Sequence, residues 1–347
     1  MYRGDTVTPL PADSAAERLV SQLVQRCVQS AASDLHLEPT STGYRARLRS
    51  MGQLKVVESI DAQLAPRVVA HIKVLAQLDI TERRLPQDGR CRFQLPGQLV
   101  DCRVNTLPTL GGEKLVLRLL GVGNANRCLS EAGLLPSQRK TVDGILSHRE
   151  GLILTTGPTG SGKTQTLYTL LQMLNRETTN ISTVEDPVEV DLPAVNQVSV
   201  QPSLGLTFAQ VLRALMRQDP DILMVGEIRD AETASMACQA AQTGHLVLAT
   251  LHAASPLSAL IRLQQLGVDG YQLAASLLLL MNQRLVSLTE SKRIGVFELV
   301  PMTDRLRMAL LANPNQTHYW QTLANACVAD IDLKQAQQQH LAELAGV

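Results

Sequence analysis

The chain has 347 residues, 45% of them hydrophobic and 18% charged, with 32 basic and 32 acidic side chains and therefore no formal net charge. That length and apolar content suit two or three packed domains with sizeable cores better than a coat or a fibre. The neutral sum hides a division, because residues 1–130 hold 17 Lys/Arg and 12 Asp/Glu, a net +5, whereas residues 131–347 hold 15 and 20, a net −5. Opposite halves can dock on one another within a chain or between neighbours, or can simply be spread over solvated surface.

Met1 to Ala12 has no apolar core, and the most apolar later stretch, Leu273 to Met281, is much shorter than the about 20 residues needed to span a bilayer, so a cytoplasmic protein is expected. The six cysteines, at 27, 91, 102, 128, 238 and 327, include no Cys-x-x-Cys pair. Neither a zinc site nor a disulfide framework is expected, and all six read as reduced thiols.

In chain order, Ala16 to Ser30 has helix-spaced apolar residues, Tyr44 to Leu48 and Leu54 to Val57 read as a hairpin around Met51-Gly52, and Arg67 to Leu78 as a second helix. Arg90 to Leu95, Leu99 to Thr106 and Lys114 to Leu120 alternate as strands, punctuated by Pro96-Gly97 and Gly111-Gly112. Residues 1–120 are thus expected to form an α+β domain and residues 121–130 a polar linker. From residue 131 to 347 the pattern becomes α/β, with a strand at Leu152 to Thr156, a helix over Lys163 to Asn175, a strand at Ile181 to Val184, a helix over Phe208 to Arg217, and strands at Ile222 to Val225 and Leu246 to Thr250. Such alternation implies a mainly parallel sheet covered on both faces, with ligands at the carboxyl ends of its strands.

Gly157-Pro158-Thr159-Gly160-Ser161-Gly162-Lys163-Thr164 matches the P-loop pattern in full and lies between a predicted strand and a predicted helix. Glycines there let backbone N–H groups turn around phosphate oxygens, Lys163 reaches the outer phosphates, and Thr164 holds Mg²⁺. Glu185-Asp186, Gly226-Glu227 and His252 each follow a predicted strand and should meet the P-loop at one sheet edge. Hydrolysis of a phosphoanhydride needs a metal, an oriented water and cations, and Glu185 and Glu227 are candidates for shared metal binding and water positioning. Glu227 also reads as a helix N-terminal acid, and Asp186 as a turn former before Pro187. His252 is a candidate γ-phosphate sensor. Arg213 and Arg217 are four apart and would share a helix face, either towards phosphates, Asp186 or a neighbouring subunit, or as a solvated stripe.

Together, GPTGSGKT, ISTVEDPVE, LRALMRQDPDILMVGEIRD and TGHLVLATLHA resemble the Walker A, Asp, Walker B and His boxes of the type II secretion and type IV pilus assembly ATPase family. SDLHLEP (33–39), RLPQDGR (84–90) and GGEKLVLRLL (111–120) extend the resemblance over residues 16 to 312 or so. It implies a PAS-like N-terminal domain, a RecA-like ATPase domain, and ATP with Mg²⁺ bound between them in a hexameric ring. It also implies catalytic roles for Glu185, Glu227, Arg103, Arg118, Arg213, Arg217 and His252. The metal would be held by Thr164, Glu185 and Glu227, and the implied partner is an inner-membrane platform protein, with the ATPase peripheral to that membrane. RLPQDGR and GGEKLVLRLL resemble the assembly or secretion branch more than the retraction branch. The four-cysteine zinc module usual in that branch is missing between Arg284-Leu285 and Arg293 to Val300, so no zinc is expected, and with SDLHLEP standing so near residue 1 the extra N-terminal domain of many members is not expected either. A nucleotide-binding subunit with little turnover and a DNA-translocating motor are the alternatives; the neutral charge and lack of basic runs argue against nucleic acid.

Overall fold

Helix α1 (Ala15–Gln29) buries Ala16, Val20, Leu23, Val24 and Cys27, a stripe at helical spacing, and Arg26 lies in its last turn, where the helix dipole favours a cation. The computed structural model describes residues 15–50, 52–120, 132–287, 293–314 and 317–345. These divide into two compact units, with the division falling in the stretch 121–131. The expected linker over 121–130, and Cys128 within it, lie outside the described residues.

The first unit is an antiparallel sheet of six strands in the order β3-β2-β1-β6-β5-β4. Its strands are β1 (Asp34–Thr40), β2 (Gly43–Ser50), β3 (Gln53–Asp61), β4 (Gln87–Leu95), β5 (Gln98–Thr109) and β6 (Gly112–Leu119). The first and last strands therefore lie side by side, as in a PAS-like sheet. Alternation decides which face is dry: Cys91, Phe93 and Leu95 on β4 and Leu115, Leu117 and Leu119 on β6 are buried in one core with α1 and α2 (Ala65–Leu75), the latter opened by Pro66. Cys91 and Cys102 are directly opposed free thiols in that core, and burial raises the Cys27 thiol to about 12.

Two buried ionic groups tie this sheet together. Lys73 on α2 has no exposed surface; its Nζ donates to Glu113 Oε1 at 2.7 Å and to the Glu82 carbonyl at 2.6 Å. Glu38 on β1 accepts from Arg47 at 2.6 Å and Arg45 at 3.3 Å and pairs with Lys114 at 3.2 Å. Burial by itself would raise the Glu38 carboxyl, but these three cations outweigh it and bring it from 4.5 down to about 2. Glu38→Gln is expected to cost about 1.5–3 kcal/mol at neutral pH, the range for a charged hydrogen-bonded group. That contribution is complete above pH 4.5, where the unfolded carboxyl is ionised, and is lost as pH falls towards about 2. Urea midpoints of parent and variant should differ at pH 7 and converge through this window; a gap that stays constant down to pH 2 would sink the assignment.

The second unit is built on seven strands ordered β13-β12-β7-β11-β10-β8-β9. They are β7 (Gly151–Thr156), β8 (Ile181–Glu185), β9 (Asn196–Ser199), β10 (Ile222–Val225), β11 (Leu246–Leu251), β12 (Leu277–Ser287) and β13 (Arg293–Pro301). All neighbours run parallel except β12 with β13, a hairpin whose connection, residues 288–292, lies outside the described residues. β7, β8, β10 and β11 are buried along their whole lengths, as parallel strands covered on both faces must be. One face carries α3 (Pro136–Ile145) and α4 (Lys163–Leu174). The other carries α5 (Phe208–Leu215), α6 (Ala231–Ala241), α7 (Pro256–Gln265), α8 (Gly270–Ser276), α9 (Asp304–Leu311) and α10 (Tyr319–Ala326), while α11 (Leu333–Ala345) packs on β13. No helix of the described residues is long and apolar enough to cross a membrane.

Two expected helices end early: α2 stops at Leu75 rather than Leu78, where Gln77 takes a left-handed φ of 57°. Phe208 begins α5 as read, capped by Thr207, but the helix stops at Leu215 rather than Arg217. The Arg217 N–H turns back to Ala214 and Asp219 takes a left-handed φ of 51° before Pro220, so Arg213 and Arg217 do not share a helix face.

Candidate active site

Parallel pairing brings the carboxyl ends of β7, β11, β10 and β8 to one edge: Thr156 is level with Leu251, and Val225 with both Ala249 and Val184. The P-loop leaves that edge after Thr156 and becomes α4 at Lys163. Gly157 has φ 144°, and a Cβ there would stand 2.3 Å from the Gln283 carbonyl oxygen and 2.7 Å from Ser161 Oγ. Gly162, at φ 89°, is the N-cap of α4 and leaves the first-turn N–H groups facing the loop.

Within this cradle the Lys163 ammonium folds back onto the loop, donating to the Gly157 and Pro158 carbonyls at 3.0 Å each. Burial lowers its pKa, and the neighbouring Glu227 charge partly restores it. Ser161 Oγ is buried without a partner. Thr164 lies half-buried on the first helical turn. An oxyanion of several oxygens fits these residues, since it replaces two neutral carbonyls with charged acceptors for Lys163 and gives Ser161 an acceptor. The Thr164 hydroxyl and the Glu227 carboxylate are the hard oxygen donors that suit Mg²⁺.

The two glutamates occupy different environments. Glu185, at the end of β8, is 2% exposed and has both oxygens engaged. Tyr168 from α4 donates to Oε2, and Thr183 Oγ1 and Gln197 Nε2 donate to Oε1 at 2.5 and 3.0 Å. Burial first, and then the Glu185 charge, push the Tyr168 hydroxyl pKa upwards, so it remains a donor. Glu227 is two residues past β10 with a side chain 18% exposed; its Oε1 lies 3.2 Å from His252 Nε2 and its Oε2 2.8 Å from Arg229 Nη2. The α6 helix begins only at Ala231 with Asp230 as its cap, so Glu227 is not a helix N-terminal acid. Arg229 Nη1 also reaches Asp186 Oδ2 at 3.3 Å.

The structure therefore brings Lys163, Glu227 and His252 together, and Glu185 to the same edge beneath Tyr168. Arg213 instead pairs with Glu232 on α6 at 2.7 Å. Arg103 and Arg118 lie in the first unit, directly opposed on β5 and β6, with Arg118 Nε on Asp34 Oδ1 at 2.9 Å. His245 has a structural role, its Nδ1 3.0 Å from the Ala240 carbonyl. No motif signals Tyr168, Gln197 or Gln283. Gln283 bonds Thr166 Oγ1 at 2.8 Å from β12, far along the chain, so only the sheet order brings it here. Arg229 lies two residues from Glu227 within GEIRD, and that spacing is its one signal in the sequence.

A glycine cradle between a buried parallel strand and a helix, with acids at the neighbouring strand ends, defines a RecA-like P-loop nucleotide-binding fold. The chain belongs to the family described as Type II/IV secretion system protein, which its residues 11–329 match. It is 48% identical over 269 residues to the type IV pilus assembly ATPase PilB of Acinetobacter baylyi, covering 77% of this chain and 46% of that protein. It is 45% identical over 274 residues to the type II secretion system protein E of Klebsiella pneumoniae, covering 79% and 55%. Thus the chain spans about half the length of the curated relatives it matches. Among solved structures, the Legionella pneumophila ATPase DotB superposes with a TM-score of 0.78 at 20% identity over 95% of this chain and 96% of that one, a likeness of fold. The pilus retraction motor PilT, solved with bound ADP, superposes with a TM-score of 0.66 at 26% identity over 92% and 89%.

Proposed function

We propose that this chain is an ATPase that hydrolyses ATP, with Mg²⁺, to power assembly of a type IV pilus or a type II secretion pseudopilus. The observation that carries this reading is the Lys163 ammonium held on loop carbonyls beside Glu227, in a chain whose relatives are named as pilus assembly ATPases and type II secretion proteins. Gly157 to Thr164 cradle the phosphates, and Thr164 and Glu227 would hold the metal, which would supply charge neutralisation at the phosphates when bound; Glu185, expected as a further donor, has both oxygens taken up by Tyr168, Thr183 and Gln197. Glu227, the more accessible acid, orients water, while Glu185 is fixed within the sheet edge and acts through its charge. His252 reports on the nucleotide through Glu227. Arg103, Arg118 and Arg217 contribute cations to the nucleotide of a neighbouring subunit, and Arg213 does so where its exposed pair with Glu232 opens. Such an ATPase works as a hexameric ring against an inner-membrane platform protein and is peripheral to that membrane, with residues 1–120 and 131–347 as its two domains.

Steady-state ATP hydrolysis over a wide range of protein concentration tests this. Activity per chain should rise with concentration as subunits complete one another's sites. Undetectable turnover, even with platform protein present, would replace the motor with a nucleotide-binding regulatory subunit, and DNA binding with a steep salt dependence would replace it with a nucleic-acid translocase.

A further inference from the structure

Glu227 has three side-chain torsions and follows a strand end by two residues, so its backbone does not by itself aim the carboxylate. Two side chains do. Arg229 Nη2 holds Oε2 at 2.8 Å and His252 Nε2 lies 3.2 Å from Oε1, so the plane of the carboxylate is defined from both sides. The guanidinium is itself anchored, because Nη1 reaches Asp186 Oδ2 at 3.3 Å, on the residue that directly follows β8. Arg229 thereby links the ends of two adjacent parallel strands, β8 and β10, through two carboxylates and two different nitrogens. The Thr250 hydroxyl, donating to the Gly226 carbonyl at 2.6 Å, and the Ile228 N–H, donating to the Thr250 carbonyl at 2.9 Å, fix the backbone on either side of Glu227. What is left free in the segment is side-chain orientation, which Arg229 and His252 restrict, and of the two only Arg229 also reaches the end of β8.

We propose that Arg229 is a positioning residue for hydrolysis: by bridging Asp186 and Glu227 it sets the angle at which the Glu227 carboxylate meets the attacking water. This rests on the reading of Glu227 as the water-orienting acid. Arg229 does not touch nucleotide in this account; it acts through Glu227. Its side chain is 57% exposed, so the ion pair adds little to stability and its effect lies in geometry. A lysine in its place carries the charge but presents one nitrogen, and cannot hold both carboxylates in a fixed fork.

The test combines turnover with nucleotide binding on the full chain. Arg229→Gln should lower kcat by about tenfold, the scale of a modestly misaimed group, while the dissociation constant of a fluorescent ATP analogue stays within about twofold. Arg229→Lys should fall between the two. In the Glu227→Gln background, Arg229→Gln should take nothing further from the residual rate, because the group it aims is already gone. Parental kcat in Arg229→Gln, a loss of binding equal to the loss of rate, or losses that multiply in the double variant would each overturn the positioning role. Should Glu227→Gln itself hydrolyse at the parental rate, the water-orienting assignment fails first and the proposal with it. Analogue binding also shows that each variant is folded.

Discussion

Lys163→Ala is expected to abolish nucleotide binding, and Glu227→Gln to preserve binding while lowering turnover by about 10²–10³-fold, the range for a lost proton acceptor or charge-stabilising group. The two outcomes differ because the residues face different atoms. Lys163 is buried with its ammonium on two neutral carbonyls, an arrangement that phosphate oxygens improve on, and burial already weighs against its charged form. Removing it leaves the cradle with backbone donors only, and the largest attraction for phosphate charge is gone. The Gln in Glu227→Gln keeps the shape and one acceptor oxygen but cannot take a proton from water, so the ground state should survive and the transition state should not. Equilibrium binding of a fluorescent ATP analogue and release of inorganic phosphate, measured on both variants, decide the matter. Hydrolysis at the parental rate by both variants would mean that the site lies elsewhere.

The second large effect is on stability. Lys73→Met should cost the first unit about 3–5 kcal/mol, because it leaves the Glu113 carboxylate buried without its counter-charge. Glu113 is 6% exposed and water cannot take over the role of the ammonium, which also satisfies the Glu82 carbonyl. The double variant Lys73→Met, Glu113→Leu should regain most of that loss, since an apolar pair of similar volume avoids the desolvation of both ions. Amide hydrogen exchange in β5 and β6 reads the first unit separately from the second, where a single global midpoint would mix them. A double variant as labile as the single one would show that the pair does more than neutralise itself.

Much of the site could be read from local order alone. The P-loop needs only a strand, glycines and a helix in succession, and each is a short-range property: the run Leu152 to Thr156 is apolar enough to be buried on both faces, and Gly157 and Gly162 take φ values of 144° and 89° that side chains resist. Glu185, Glu227 and His252 could be placed at one edge by the rule that parallel strands end together, and the observed register agrees. The same reasoning failed at Arg217, where apolar periodicity suggested two more helical residues than the chain before Pro220 permits. The strands β1, β12 and β13 are not legible from pattern either, since a buried apolar run such as Leu277 to Met281 reads equally as helix or strand.

Residue order is enough to read the nucleotide-binding class, the edge where the parallel strands end together and the candidate acids at that edge, because periodicity, glycine geometry and strand polarity act over a few residues. How those acids differ is a matter of packing between distant elements. Glu185 is sealed beneath Tyr168, Thr183 and Gln197, which come from α4, β8 and β9, while Glu227 lies nearer solvent between Arg229 and His252. Accessibility and hydrogen-bond partners depend on which side chains other elements bring within 3 Å or so, a scale at which hydrogen bonds form and which no one-dimensional pattern resolves.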